Sequence, residues 1–199
     1  MFTGLVRDKA HVKSIDKKDG LWRLSIETGL DMTAVDIGAS IACNGCCLTA
    51  VAKSDNSFDV EVSLETLDKT NIGQWENGTF VNVEPSLKVG DELGGHLVTG
   101  HVDALAELIE LNEAGDSWKL VFKVPQNLKH FIAPKGSVCL NGVSLTVNGV
   151  QDDCFDVNII PHTWTVTNLS SVQVGDKVNM EVDLIARYMA RMMDVQRNV

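Results

Sequence analysis

The stretch Ser40-Ile41-Ala42-Cys43-Asn44-Gly45-Cys46-Cys47-Leu48-Thr49 returns later in the chain as Ser137-Val138-Cys139-Leu140-Asn141-Gly142-Val143-Ser144-Leu145-Thr146. At the same offset Phe58-Asp59-Val60 meets Phe155-Asp156-Val157, and Thr70-Asn71 meets Thr167-Asn168. Val81-Asn82 and Glu84 likewise meet Val178-Asn179 and Glu181. About sixteen of roughly forty-five pairs are identical without a gap, so the chain is an internal duplication. The openings correspond too, Thr3-Gly4-Leu5-Val6 with Thr99-Gly100-His101-Val102, at an offset one residue shorter. The Gly-rich stretch Gly90-Asp91-Glu92-Leu93-Gly94-Gly95-His96 marks the junction, giving modules over 1–96 and 97–183.

Each copy reads as strands. Phe58, Val60, Val62 and Leu64 alternate with Asp59, Glu61 and Ser63, the period-two pattern of a half-buried strand. Trp22-Leu24-Ile26, Leu120 to Val124 and Val178-Met180-Val182 repeat it, with turn-rich clusters between them. Many short strands in a unit this small predict an all-β closed barrel, because closure removes exposed edges. Short helical turns are expected at Leu30–Ala34, Glu65–Thr70 and Gln126–Phe131. Only the C-terminus has helical spacing: Leu184, Ile185, Tyr188, Met189, Met192 and Met193 share one face, with Arg187, Arg191 and Asp194 opposite. That stripe either folds back onto its own domain or joins subunits.

Composition narrows the partners. A formal charge of −10 over 199 residues disfavours nucleic acid and anionic membrane surfaces, which need clustered Lys and Arg. The N-terminus has no basic region followed by an apolar one, so no signal peptide is expected. Five cysteines, three of them crowded at Cys43, Cys46 and Cys47, make a poor disulfide framework and suit a reducing cytoplasm.

Duplicated positions report the scaffold, and mismatched ones report the chemistry. Asn44-Gly45 and Asn141-Gly142 read as tight turns. Thr49 and Thr146 read as buried hydroxyls whose partner is backbone or ligand. Cys43 and Cys46 have zinc-like spacing, but two further ligands would be needed and His96 and His101 are the only candidates. Their counterparts are Leu140 and Val143, so both read as small buried hydrophobes and no metal is expected. Cys47 faces Ser144, His101 faces Leu5, and Asp183 faces Ser86. Asp183 could equally be the N-cap of the C-terminal helix. His11, His130 and His162 have no such context.

Met1-Phe2-Thr3-Gly4-Leu5-Val6, the duplicated Asn-Gly-x-x-Leu-Thr, Gly94-Gly95-His96-Leu97-Val98-Thr99-Gly100-His101-Val102 and the duplicated Val-Asn-x-Glu resemble riboflavin synthase over essentially the whole chain. The resemblance implies two tandem six-stranded Greek-key barrels and a homotrimer joined by a C-terminal helix over 184–199. It also implies a cofactor-free and metal-free dismutation of two 6,7-dimethyl-8-ribityllumazine molecules, held between the N-terminal barrel of one subunit and the C-terminal barrel of the next. It puts catalytic weight on His101, Ser144, Cys47, Thr146 and Asp183, with Phe2 in support. Ligand contacts in the first barrel would be Gly4, Leu5, Val6, Cys47, Leu48, Thr49, Glu61, Val62, Ser63, Leu64, Glu65 and Thr66. In the second they would be Gly100, His101, Val102, Lys135, Ser144, Leu145, Thr146, Asn158, Ile159, Ile160, Pro161, His162 and Thr163. Some relatives carry an acid at the place of Asn141, which receives no catalytic role. A non-enzymatic lumazine- or flavin-binding protein on the same scaffold is the competing reading; Cys47, His101, Ser144 and Asp183 together favour the enzyme.

Overall fold

The computed structural model describes residues 1–197, with side chains described to residue 193. The first copy supplies β1 (Asp8–Lys18), β2 (Leu21–Glu27), β3 (Ser40–Cys43), β4 (Cys46–Lys53), β5 (Ser57–Ser63) and β6 (Phe80–Pro85). The second supplies β7 (Ala104–Ala114), β8 (Ser117–Lys123), β9 (Ser137–Leu140), β10 (Val143–Gln151), β11 (Cys154–Ile159) and β12 (Lys177–Val182). Each set closes into an antiparallel barrel of Greek-key connectivity, in the ring order β1-β2-β5-β4-β3-β6 and its counterpart in the second copy. Alternate residues fill two separate cores, one around Leu24, Ile41, Phe58 and Val83, the other around Leu108, Leu140, Phe155 and Met180. No helix among the described residues is long and apolar enough to cross a membrane.

Helices α1 (Leu64–Lys69) and α2 (Pro161–Val166) occupy equivalent places. α2 escapes a sequence reading because Trp-Thr-Val favours strand; Pro161 in its first turn, with its preset φ, starts it instead. The other expected turns are present but shorter, at Met32–Ala34 and Lys129–Phe131.

The barrels meet through their Asn-Gly turns. Asn44 (φ 46°) and Asn141 (φ 45°), each followed by glycine with positive φ, form turns of the kind that suit a two-residue hairpin. The asparagine side chains do more than turn the chain. Asn44 Oδ1 accepts from Asn82 N at 2.8 Å, and Asn141 Oδ1 from Asn179 N at 2.9 Å, within their own barrels. Asn82 Nδ2 then crosses to Asn141 O and Asn179 Nδ2 to Asn44 O, both at 2.9 Å. Asn71 N and Asn168 N complete the ring on Asn179 Oδ1 and Asn82 Oδ1. All six are buried, so the polar contact is sustainable only because these donors and acceptors are matched. The turns also touch: a Cβ on Gly142 would lie 2.8 Å from Gly45 N. Gly142→Ala is therefore expected to cost about 2 kcal/mol or more, read as a lower urea midpoint; an unchanged midpoint would contradict this packing.

Helix α3 (Leu184–Arg197) begins where β12 ends and lies beside the Lys129–Phe131 turn. Its amphipathicity is inverted relative to a helix folded onto its own domain. Ile185, Tyr188, Met189, Met192 and Met193 are all more than half exposed, while Arg187 is turned toward the barrel. The apolar stripe therefore does not fold back onto its own domain. Asp194, expected on the polar side, lies outside the residues whose side chains are described.

Candidate functional site

Each copy opens with a short segment pinned by a buried glutamate. Glu84 accepts from Thr3 N (2.7 Å), Thr3 Oγ1 (2.8 Å) and Gly4 N (3.0 Å). Glu181 accepts from Thr99 N (2.7 Å), Thr99 Oγ1 (2.6 Å), Gly100 N (2.8 Å) and His101 N (3.0 Å). So held, each segment reaches across to the other barrel. Ser144 N of β10 donates to Gly4 O, and Cys47 N of β4 donates to Gly100 O, both at 2.8 Å. Val6 packs on the second core and Val102 on the first. The expected grouping of Gly4-Leu5-Val6 with the first barrel and Gly100-His101-Val102 with the second is thus reversed. Each opening segment is held by the glutamate of its own copy and docks on the barrel of the other.

The exchange makes two unequal sites. Beside the first barrel, His101, Gly100 and Val102 face Cys47, Thr66, Glu65 and Lys69 across a cleft of about 300 Å³. His101 is exposed and Cys47 half-buried. A small bicyclic ring needs a cleft at the lower end of the usual ligand range. A larger groove, about 450 Å³, runs along the asparagine contact, but none of the sequence's candidate catalytic residues lines it.

Beside the second barrel, the junction Gly94-Gly95-His96 lies against Ser144. A Cβ on Gly95 would overlap Thr3 O and approach Ser144 Cβ to 3.0 Å, so only glycine lets the backbone pass. This approach seats His96 Nδ1 2.6 Å from Ser144 Oγ. Burial pushes the His96 pKa below the ordinary histidine value of 6.5, with the Asp183 carboxylate opposing it, so the ring is neutral at pH 7. Its Nε2 is buried without a partner among the described residues, and either tautomer leaves that nitrogen unmatched. Asp183 caps α3, its Oδ1 accepting from Ile185 N at 2.8 Å. Serine and the neutral imidazole beside it can pass a proton to or from a ligand.

Against this geometry, the chain matches the family model for the lumazine binding domain twice, over residues 3–86 and 99–183. A riboflavin synthase from Brucella abortus (strain 2308) is 46% identical, covering 99% of this chain and 100% of that one. The chain belongs to the riboflavin synthase family. The Photobacterium phosphoreum riboflavin synthase is 40% identical over 99% of this chain and 91% of its own. Among solved structures, LumP complexed with riboflavin superposes with a TM-score of 0.85 at 29% identity, covering 92% of this chain and 99% of that one. LumP complexed with 6,7-dimethyl-8-(1'-D-ribityl) lumazine does so with 0.83 at 28%, with the same coverage.

The remaining residues expected from the family sort by strand alternation. Leu48, Val62 and Ile159 point into the cores, leaving only backbone for a ligand. Thr49 and Thr146, expected as buried hydroxyls, are exposed on outer faces, because they sit on the opposite parity from the core-facing residues. Glu61, Ser63, Leu64 and Glu65 beside the first barrel are exposed, as are Asn158, Ile160, Pro161 and His162 beside the second. Thr66, Leu145 and Thr163 are half-buried, and Lys135 is exposed in a turn whose N–H donates to Val147 O. Phe2 is fully buried between the barrels with Ala42, Val98 and Cys139, with Cys47 packed against them, and pairs its backbone with Val98. Cys43 and Cys46 are buried, and burial pushes the Cys46 thiol up to about 12 and Cys43 well above its usual value, so both stay protonated and apolar. His96 escapes a comparison of copies because it precedes the duplicated opening and has no counterpart.

Proposed function

We propose that this riboflavin synthase family member catalyses the family reaction. Two 6,7-dimethyl-8-ribityllumazine molecules exchange a four-carbon unit, giving riboflavin and 5-amino-6-(D-ribitylamino)uracil. The observation that carries the reading is one fold presented twice with different chemistry: His101 and Cys47 beside one barrel, Ser144 and His96 beside the other. A reaction that uses one compound in two opposed roles needs that inequality. On this reading it works in the cytoplasm and calls on no cofactor or metal.

The C7 methyl of one lumazine gives up a proton, and the carbanion, delocalised into the ring, adds to C7 of the second. Ser144, hydrogen-bonded to neutral His96, handles that proton at the second barrel. Thr146, on the same outer face, donates to ring oxygens that gather charge. At the first barrel His101, Cys47, Thr49 and Thr66 orient the electrophilic lumazine. Holding the two rings face to face supplies proximity in place of a strong base.

Both sites lie on outer barrel faces, and the first-barrel cleft is open to solvent in a single chain. A neighbouring subunit closes them, first barrel against second, in a homotrimer joined through α3. Burying each large apolar residue of that face is worth about 2 kcal/mol. Truncation after Asp183 is expected to give monomers by sedimentation; a persisting trimer would remove α3 from the interface. The reading itself is tested by mixing the purified chain with the lumazine and no additive. Riboflavin absorbance should appear; tight binding without turnover would place the chain with the binding proteins instead.

A further inference from the structure

Asp103 stands where the first copy has Arg7, and α3 has no counterpart in that copy. The two differences meet. Arg187 Nη2, in the first turns of α3, donates to Asp103 Oδ2 at 2.8 Å, and the same oxygen accepts from Val182 N at 2.9 Å. Asp103 N donates to Met180 O at 2.9 Å, so Asp103 is tied to β12 on both sides of Glu181. Glu181 itself holds His101, two residues before Asp103, and Val102 between them packs on the first core. Arg187 is fixed in turn by its N–H, which donates to Asp183 O at 3.1 Å. A continuous run of contacts therefore leads from α3 to the segment carrying His101.

As a stabilising device this pair is poor. Both side chains are largely withdrawn from water, and Arg187 Nε is buried without a partner among the described residues. Partly buried ion pairs return little net stability because desolvation offsets attraction; their better-attested use is to fix registry. We propose that Asp103 and Arg187 are positioning residues for His101, so that docking of α3 sets the first-barrel cleft and couples subunit association to the site. The proposal rests on the function given above.

The test uses full-length Arg187→Met, which keeps the apolar stem, Arg187→Lys, which restores a charge, and the isosteric Asp103→Asn. In Arg187→Met and Asp103→Asn, kcat for riboflavin formation should fall on the order of tenfold with KM within about twofold, as expected of a displaced catalytic group. Sedimentation should match the parent, and Arg187→Lys should recover most of the rate. The His101 ring resonance in a ¹H–¹³C spectrum should shift in both charge-removing variants while those of His11 and His130 stay. An unmoved His101 resonance, or a rate loss that tracks only loss of assembly, overturns the proposal. Should the parent chain form no riboflavin, a shifted His101 resonance would still support the coupling while the assigned reaction failed.

Discussion

Ser144→Ala is expected to lower riboflavin formation on the order of a hundredfold, the usual contribution of a placed proton-transfer group, with only a modest drop in the unfolding midpoint. The modest stability effect follows from what is lost. Ser144 N still donates to Gly4 O, and the loss is the bond from Oγ to His96, which leaves a buried imidazole nitrogen unpartnered at about 1–3 kcal/mol. The pH profile carries the second half of the prediction. A buried imidazole resists protonation, so the acid limb of activity should fall below the ordinary histidine value of 6.5. The sign for stability is the same: folded His96 binds its proton more weakly than unfolded His96. Its contribution is present above 6.5 and is lost as pH falls toward the lowered folded value. His96→Gln should move or flatten that acid limb. A Ser144→Ala enzyme at parental rate, or an acid limb indifferent to His96, would show that the pair is structural.

Glu181→Gln is expected to be the most damaging isosteric change in the chain. The carboxylate accepts from three backbone N–H groups and one hydroxyl. An amide keeps one acceptor oxygen and turns an NH₂ toward N–H donors. With hydrogen bonds to charged groups worth about 1.5–3 kcal/mol each, the loss should reach about 3 kcal/mol or more, read by chemical denaturation. Turnover should fall further than stability accounts for, because the freed segment carries His101. A variant with parental stability would mean that the Gly100–His101 turn holds itself.

Much of this architecture is written in the sequence by pairs such as Asn44/Asn141 and Phe58/Phe155, whose recurrence demands two copies of one barrel. Cys47/Ser144 and Leu5/His101 point to the sites by their mismatch. What the alignment of copies cannot show is which barrel each opening segment serves, since exchange leaves the offset unchanged. The Val-Asn-x-Glu motif is visible, yet its role depends on where Thr3 and Thr99 return in space. His96 is hidden because the chain offers no first-copy residue to compare with it. The α3 stripe is legible, but whether it faces inward depends on Arg187 finding Asp103.

The central claim, that each reacting pair of lumazines is gripped by unlike barrels of two chains, is best tested by subunit mixing. His101→Ala disables the first-barrel site and Ser144→Ala the second, so each variant alone should be nearly inactive. Refolded together into mixed trimers, random pairing leaves roughly a quarter of the sites with both residues intact, and activity should recover to about that fraction. Mixed trimers no more active than the separate variants would contradict a site shared between subunits and place both lumazines on a single chain.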